Sequence, residues 1–430
     1  MVAAFSATPA SADTGSILPI DDSQLQALTT TVGGTGGAES LATADTVPHW
    51  FGTTKNGNNG ITYGYNMVGA NPNSCSGSAC DVTVEADVQP LIVTLDGMTF
   101  DGTQVMDATL NSPVFQLNGY GSTTAATVAG NFPNPPSRIK GPGGTLSQSD
   151  AGNLLQLEDA TMRAQFNKYG SYHVRLHANV LPVPAVINVP VSQGVLRKSG
   201  RGVVFAAVNS TWWAARIQEL QAHADAHHLP IYTTNDVLLF FADDPILHCC
   251  IIGFHGAGIV VGSSKAVNGS GHGSGNQQVQ TFAWATYLTP GIYARPNGGT
   301  AWALQDIHPL SHEISEWADD PFVNSFVEPW RTPTAPQYGC TGILETGDPV
   351  VGIGFAMEKN IYQQGNNPNG SHSADGFYHP EDEALLPWFM RTAPNHVSEP
   401  TQSPSTNVGR YTLMGDLNPF AGFRQPATGC

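Results

Sequence analysis

Hydrophobic positions recur along this chain with two different periods. Between Val47 and about Val195 they alternate: Ile61–Met67 and Val82–Leu95 (VTVEADVQPLIVTL) carry apolar residues at nearly every second position, bounded by Gly, Asn and Asp. That pattern predicts half-buried strands. Asp96-Gly97 and Asp101-Gly102 supply hairpin turns. Tyr172–Leu176 and Val186–Val191 read as further strands and Leu154–Phe166 as a helix. From Gly202 the pattern changes. Val203–Val208 is a short buried-strand run, Thr211–His223 an amphipathic helix, and Val237–Phe241, Cys250–Ile252 and Thr281–Leu288 are strand-like again. Ser263–Gln278, rich in Gly, Ser and Asn, predicts a surface loop. A helix over Pro309–Asp320 follows, with Pro309 in its first turn and Pro321 ending it. The expected fold class is α+β, with a β-rich domain over 46–200 and an α/β domain over 201–391 whose 309–320 helix packs on a sheet. Residues 1–45, rich in Ala, Gly, Ser and Thr, are expected to form a flexible leader or propeptide, and 392–430 a polar, Pro-rich wrapping tail.

Composition narrows the setting. Only 12% of the 430 residues are charged, against a typical ~25%, while Gly (47) and Pro (31) are abundant. This is the profile of a secreted, loop-rich protein. A net charge of −17 argues against nucleic acid as a partner, because phosphate recognition needs a basic surface. No apolar run approaches the ~18 residues of a transmembrane helix. Ala10-Ser11-Ala12 has the form of a signal-peptidase site, although residues 1–12 contain no Lys or Arg. Of six Cys, Cys75 and Cys80 bracket a short loop that a disulfide can close. Cys249 and Cys250 are adjacent, and a bridge from either to Cys340 would tie a buried strand to the region after the 309–320 helix; Cys430 is the sixth. The connectivity stays open at this level, and no C-x-x-C spacing suggests zinc ligation by thiolates.

The chemistry concentrates in His312-Glu313-Ile314-Ser315-Glu316, an H-E-x-x-E motif one residue removed from the H-E-x-x-H of zinc peptidases. At about 100° per residue, His312 and Glu316 fall within about 40° of each other and Glu313 at about 100°. Leu310, Ile314 and Trp317 take the opposite side. One helix face therefore packs, and the other presents an imidazole and two carboxylates. His312 and Glu316 suit a zinc ion as two ligands from one helix, with Glu313 as general base toward metal-activated water. A third ligand is expected from Glu345, in Leu344-Glu345-Thr346-Gly347-Asp348, with Asp348 as a ligand or as a carboxylate orienting one. Asp319 and Asp320 lie near the same face, and His308 precedes Pro309. The carboxylate-rich set also admits calcium; the competing reading of the helix is a solvated acidic face.

His255, in Gly253-Phe254-His255-Gly256, follows a strand. It is a candidate catalytic group, as transition-state stabiliser or further ligand, set against a histidine satisfied within the core. His223, His227 and His228 read as the end of a helix. Tyr378-His379-Pro380-Glu381-Asp382-Glu383 reads as an acidic first turn before an apolar run, with Tyr378 or His379 as remote candidates for an oxyanion donor. Trp50, Trp212 and Trp213 are candidates for stacking on sugars, against the more ordinary reading as core residues.

Together, Leu310–Glu316, Asp320-Pro321 and Leu344–Asp348 resemble the S-H-E-x-x-E … D-P … E-x-G-D pattern of secreted bacterial proteins with a zincin-like signature. Cys249–Gly256 (CCIIGFHG) and Thr281–Tyr287 are similar, more distantly, to plant secreted phosphate-induced proteins. The likeness covers roughly 200–390, and Val47–Val195, opening on Val47-Pro48-His49-Trp50-Phe51, resembles the N-terminal part of the same bacterial proteins. It implies a zincin-like domain with His312, Glu316 and Glu345 as ligands and Glu313 as base. Glu316 stands where a zincin has its second His, and an anionic ligand lowers the Lewis acidity of the metal. The leading expectation is a secreted zinc hydrolase of zincin-peptidase type acting on peptides or proteins. The alternative is a non-catalytic extracellular protein, adhesive or self-assembling, with a structural metal; a carbohydrate-binding module on the β domain is a third.

Overall fold

The computed structural model describes residues 18–19, 25–28, 41, 44–117, 155–166, 168, 171–240, 249–259, 278–293, 303–332, 340–354, 357–362, 376–393, 411–413 and 430. The loop expected over Ser263–Gln278 lies outside them except for Gln278. Among the described residues, no helix is long and apolar enough to cross a membrane.

The described strands form two larger sheets. One has seven strands: β14 (Gly253–Ile259), β15 (Val279–Tyr287), β11 (Leu229–Asn235), β5 (Asp81–Leu95) and β6 (Met98–Asp101), with β7 (His173–Val180) and β8 (Ala185–Val189) on the other side of β5. The other has six, in the order β1 (Leu18–Pro19), β9 (Gly194–Lys198), β10 (Val204–Asn209), β12 (Val237–Phe240), β13 (Cys249–Ile251) and β2 (Leu25–Leu28). Three two-stranded ribbons complete the set: β3 (His49–Lys55) with β4 (Thr62–Val68), β16 (Phe326–Arg331) with β17 (Cys340–Ile343), and β18 (Met357–Lys359) with β19 (Phe377–Tyr378). The helices are α1 (Met106–Leu110), α2 (Leu157–Gln165), α3 (Ser210–Gln221), α4 (His308–Asp319) and α5 (Leu386–Phe389). The class is α+β.

β5 shows how one strand serves two cores. Val84, Ala86 and Val88 point into the core that also holds α4, whereas Leu91, Val93 and Leu95 join a second core with Trp213 and Trp284. The burial phase slips at Pro90-Leu91, where both residues are buried. At that point the partners of β5 change as well, from β7 to β8 on one side and from β11 to β6 on the other. Proline gives no N–H to the ladder, so it sits where pairing is exchanged.

β11 and β5 pair in parallel, so the larger sheet takes strands from both sides of residue 200. β9 and β10, which flank that position, are antiparallel neighbours in the other sheet. The domain boundary expected at 200 thus runs through shared ladders, and the two parts do not separate there. The leader expected over 1–45 likewise contributes β1 and β2, paired in parallel with β9 and β13.

α4 lies across β14 and β15. Its bed is set by alternation along β15: Phe282 and Trp284 face the second core, while the small Ala283 and Ala285 face α4 and let it sit close. Leu310, Ile314, Trp317 and Ala318 of α4 join Ala283 and Ala285 in the first core, and Trp317 Nε1 donates to Thr281 Oγ1 (3.0 Å) on β15. All twelve residues of α4 are buried, so its polar face is not solvated. α2 packs against it from the other side, bringing Glu158 and Arg163 into the interior.

Two disulfides among the described residues fasten the outer parts of the fold. Cys75 and Cys80 are bridged as expected. Cys340 pairs with Cys430, not with Cys249 or Cys250. The reason is placement: Cys340 is exposed at the start of β17, while Cys250 is buried inside the six-stranded sheet. Trp50 and Trp213 are core residues, which removes two of the three expected sugar-stacking rings. Trp212 is half-buried, with the Arg216 guanidinium over its ring.

Candidate metal centre

Three separate segments meet over the polar face of α4. β14 brings His255, the turn after β17 brings Glu345 and Asp348, the segment after β19 brings Glu381, and α4 itself brings His308, His312, Glu313 and Glu316. His255, His312, Glu313 and Glu381 have no exposure, and Glu316 and Glu345 are buried too.

His312 is held from behind. Its Nδ1 donates to Glu381 Oε2 (2.7 Å), and the same oxygen lies 3.0 Å from His308 Nε2. A carboxylate on one ring nitrogen fixes the tautomer and turns the other nitrogen toward a ligand, the arrangement usual behind a metal-binding histidine. Nε2 then faces Glu316 Oε1 at 3.0 Å without hydrogen-bond alignment, and Asp348 Oδ1 at 3.9 Å. One ligand atom from each of His312, Glu316 and Asp348 falls within a span of 4.8 Å. Glu316 Oε1 is itself anchored by the main-chain N–H groups of Gly347 (3.2 Å) and Asp348 (3.1 Å).

His255 stands on the other side of Glu316. Its Nε2 donates to the Asp320 main-chain oxygen (3.2 Å), leaving Nδ1 at 3.4 Å from Glu313 Oε2 and 3.6 Å from Glu316 Oε2. His255, Glu313 and Glu316 form a second group within 4.8 Å. Glu345 Oε2 is 3.9 Å from His255 Nε2. The structure therefore gathers His255, His312, Glu313, Glu316, Glu345 and Asp348, the six residues singled out in the sequence. Within the gathering, Asp348 rather than Glu345 completes the His312 and Glu316 group, and Glu345 approaches the His255 ring instead.

The electrostatics reflect this crowding. Burial drives His255 down to about 4, so its ring is neutral. Burial would also lower His312, but the carboxylates of Glu316 and Glu381 hold it well above the usual imidazole range. Burial raises Glu313 and Glu345 far above the carboxylate range, and the Glu316 charge adds to both shifts. Burial would raise Glu316 as well, yet His312 and the surrounding donors keep it low. Without a cation, then, Glu313 and Glu345 hold protons while Glu316 stays ionised against a protonated His312. A divalent cation would replace those protons.

The donor set fits such an ion on an independent ground. His255 Nδ1, His312 Nε2, both oxygens of Glu313 and both of Glu345 are buried and make no hydrogen bond. Orphaned buried polar atoms cost about 1–3 kcal/mol each, and here they converge. Two imidazole nitrogens among the donors argue for zinc or another transition ion over calcium, which prefers oxygen throughout.

The chain matches no family model, no curated protein and no solved structure.

Other sequence candidates have ordinary partners. Asp320 accepts from Asn324 N, Ser325 N and Ser325 Oγ (2.9–3.1 Å) and so builds the turn after α4. Asp319 accepts from Gln165 Nε2 (2.7 Å). Tyr378 Oη donates to Ala108 O, and His379 Nδ1 to Asp306. His227 meets Asp45 and Asp225, and His228 meets Asp87. The roles of Glu381 and His308 were not legible in the sequence. Two glycines carried a signal: a Cβ on Gly347 would lie 2.3 Å from His312 Nδ1, and one on Gly253 would lie 2.5 Å from Glu313 Oε1. Gly347→Ala is therefore expected to displace the His312 ring and weaken metal binding at least about tenfold, worth about 1.4 kcal/mol. Competition titration against a chromogenic zinc chelator measures this.

Proposed function

We propose that the chain is a secreted metal-dependent hydrolase of zincin type, with zinc as the cation and peptides or proteins as substrates. The observation that supports it is the Glu381–His312 pair, which aims Nε2 at Glu316 and Asp348. His312, Glu316 and Asp348 would hold the ion, whose contribution is to lower the pKa of water toward 7 and to polarise a carbonyl. Glu313 adjoins this group with both oxygens unengaged, as a proton acceptor requires. Glu381 and His308 fix the His312 ring, and Gly347 and Asp348 fix Glu316. The disulfides and the absence of a membrane-spanning helix among the described residues are compatible with an extracellular setting.

Glu313→Gln tests this reading. It keeps size and burial but accepts no proton, so the ion held by His312, Glu316 and Asp348 should be retained while hydrolysis of a broad peptide library falls by about 100-fold or more. Equal activity in both proteins would remove Glu313 as the base.

One observation favours the non-catalytic alternative, an extracellular protein with a structural metal. Every ligand candidate except Asp348, whose side chain is 26% exposed, is sealed from solvent. If wild type cleaves nothing while metal removal still unfolds it, the structural reading takes precedence.

A further inference from the structure

Glu316 faces two ways. Oε1 lies 3.0 Å from His312 Nε2, and Oε2 lies 3.6 Å from His255 Nδ1. The two ligand groups around these nitrogens share no other residue. We propose that the chain binds two divalent cations, one at His312–Glu316–Asp348 and a second at His255–Glu313–Glu316, with the Glu316 carboxylate bridging them. This rests on the metal reading above and extends it to a two-ion centre.

Two observations carry the second site. The first is the state of His255. Its Nε2 is committed to the Asp320 carbonyl, so Nδ1 is the nitrogen turned toward Glu313 and Glu316. Nδ1 is fully buried and makes no hydrogen bond. A main-chain carbonyl on one nitrogen and an unengaged second nitrogen is how a metal-binding imidazole is oriented.

The second is Glu313. It is fully buried with both oxygens unpartnered, and it is seated against β14 at a position that only glycine tolerates, Gly253. An α4 glutamate without a partner would be expected to give way to an apolar residue. Instead, the sheet leaves space for its carboxylate beside His255.

With the second ion bound, Glu313 is one of its ligands, and Glu345, unpartnered and 3.9 Å from His255 Nε2, is the carboxylate left to exchange protons. Centres of this class clamp the two oxygens of a displacement reaction between ions about 3.5–4 Å apart.

Equilibrium dialysis of the metal-stripped full chain against Zn2+, read by elemental analysis, tests the proposal. Two ions per chain are expected for wild type and one for His255→Ala. One ion in wild type overturns the second site and leaves the first standing; no ion overturns both. Two ions retained in His255→Ala also overturn the assignment. Should that variant fail to fold, Mn2+-loaded wild type decides: an exchange-coupled paramagnetic spectrum supports the bridged pair, and the spectrum of isolated Mn2+ at full loading contradicts it.

Discussion

Removing divalent metal from the purified chain is expected to lower its melting temperature by about 10 °C or more at pH 8. The magnitude follows from linkage. A ligand present at 1,000 times its dissociation constant stabilises by about 4 kcal/mol, and each kcal/mol moves the midpoint by about 2–4 °C in a domain of 150–250 residues. The location makes the loss global. α4 is buried throughout, and its apolar side joins the main core with β5, β7, β11 and β15. The segments carrying Glu345, Asp348 and Glu381 converge on the same ligand face. Take away the cation and the carboxylates there must either repel or take up protons at a pH that opposes it. Calorimetry before and after chelation measures the shift, and zinc should reverse it. An unchanged midpoint would mean that nothing in the fold depends on an ion.

The second large effect is an inverted pH dependence of the metal-free chain. Burial pushes Asp236 up to about 7, Asp320 to about 7 and Asp319 to about 8. Asp236 is not among the ligand candidates; it sits in the turn between β11 and β12 at φ 53°, where its carboxylate accepts from Thr289 N (2.7 Å). The sign is that of raised carboxylates. From about pH 4 upward the unfolded chain has released these protons, while the folded chain keeps them until pH 7–8. The folded state therefore binds more protons in that window, and stability falls as pH rises. His312, held high, acts in the same direction. His255, held down to about 4, opposes them below about pH 6.5 and is silent above it. Between pH 6.5 and 8 the metal-free midpoint should thus drop by about 5 °C or more. The loaded chain should change less, since the ion removes the need for protons. Asp236→Asn should remove part of the slope without touching metal content. A metal-free chain that grows more stable toward pH 8 would contradict these shifts.

Much of the local structure was legible because periodicity reports what a segment buries. The alternation in β5 and the Pro309–Asp320 helix both appear within a residue or two of expectation. The helix phase also placed His312, Glu313 and Glu316 on one face. What lay beyond reach was the second layer. A single apolar stripe on α4 left a solvated acidic face as the competing reading, and nothing local told that β14, the 345–348 turn and Glu381 close over it. Tyr378–Glu383 read as a helix start because acids before an apolar run have that form, and nothing local says that Glu381 reaches back 69 positions to His312. The slip at Pro90-Leu91 was hidden for a related reason: it answers to an exchange of strand partners far away in sequence. The Cys340–Cys430 bridge depends on where residue 430 ends up, which spacing alone cannot encode. Glycine was the one long-range signal available. Gly253 and Gly347 each lie where any side chain would strike a ligand candidate.

The most direct test of the metal centre is the metal content of the purified chain beside a His312→Ala, Glu316→Ala double variant, both confirmed folded by circular dichroism. At least one tightly held zinc per chain, lost in the double variant, is the expected result. A wild-type chain that stays folded with no divalent ion after growth and dialysis in zinc would contradict the account.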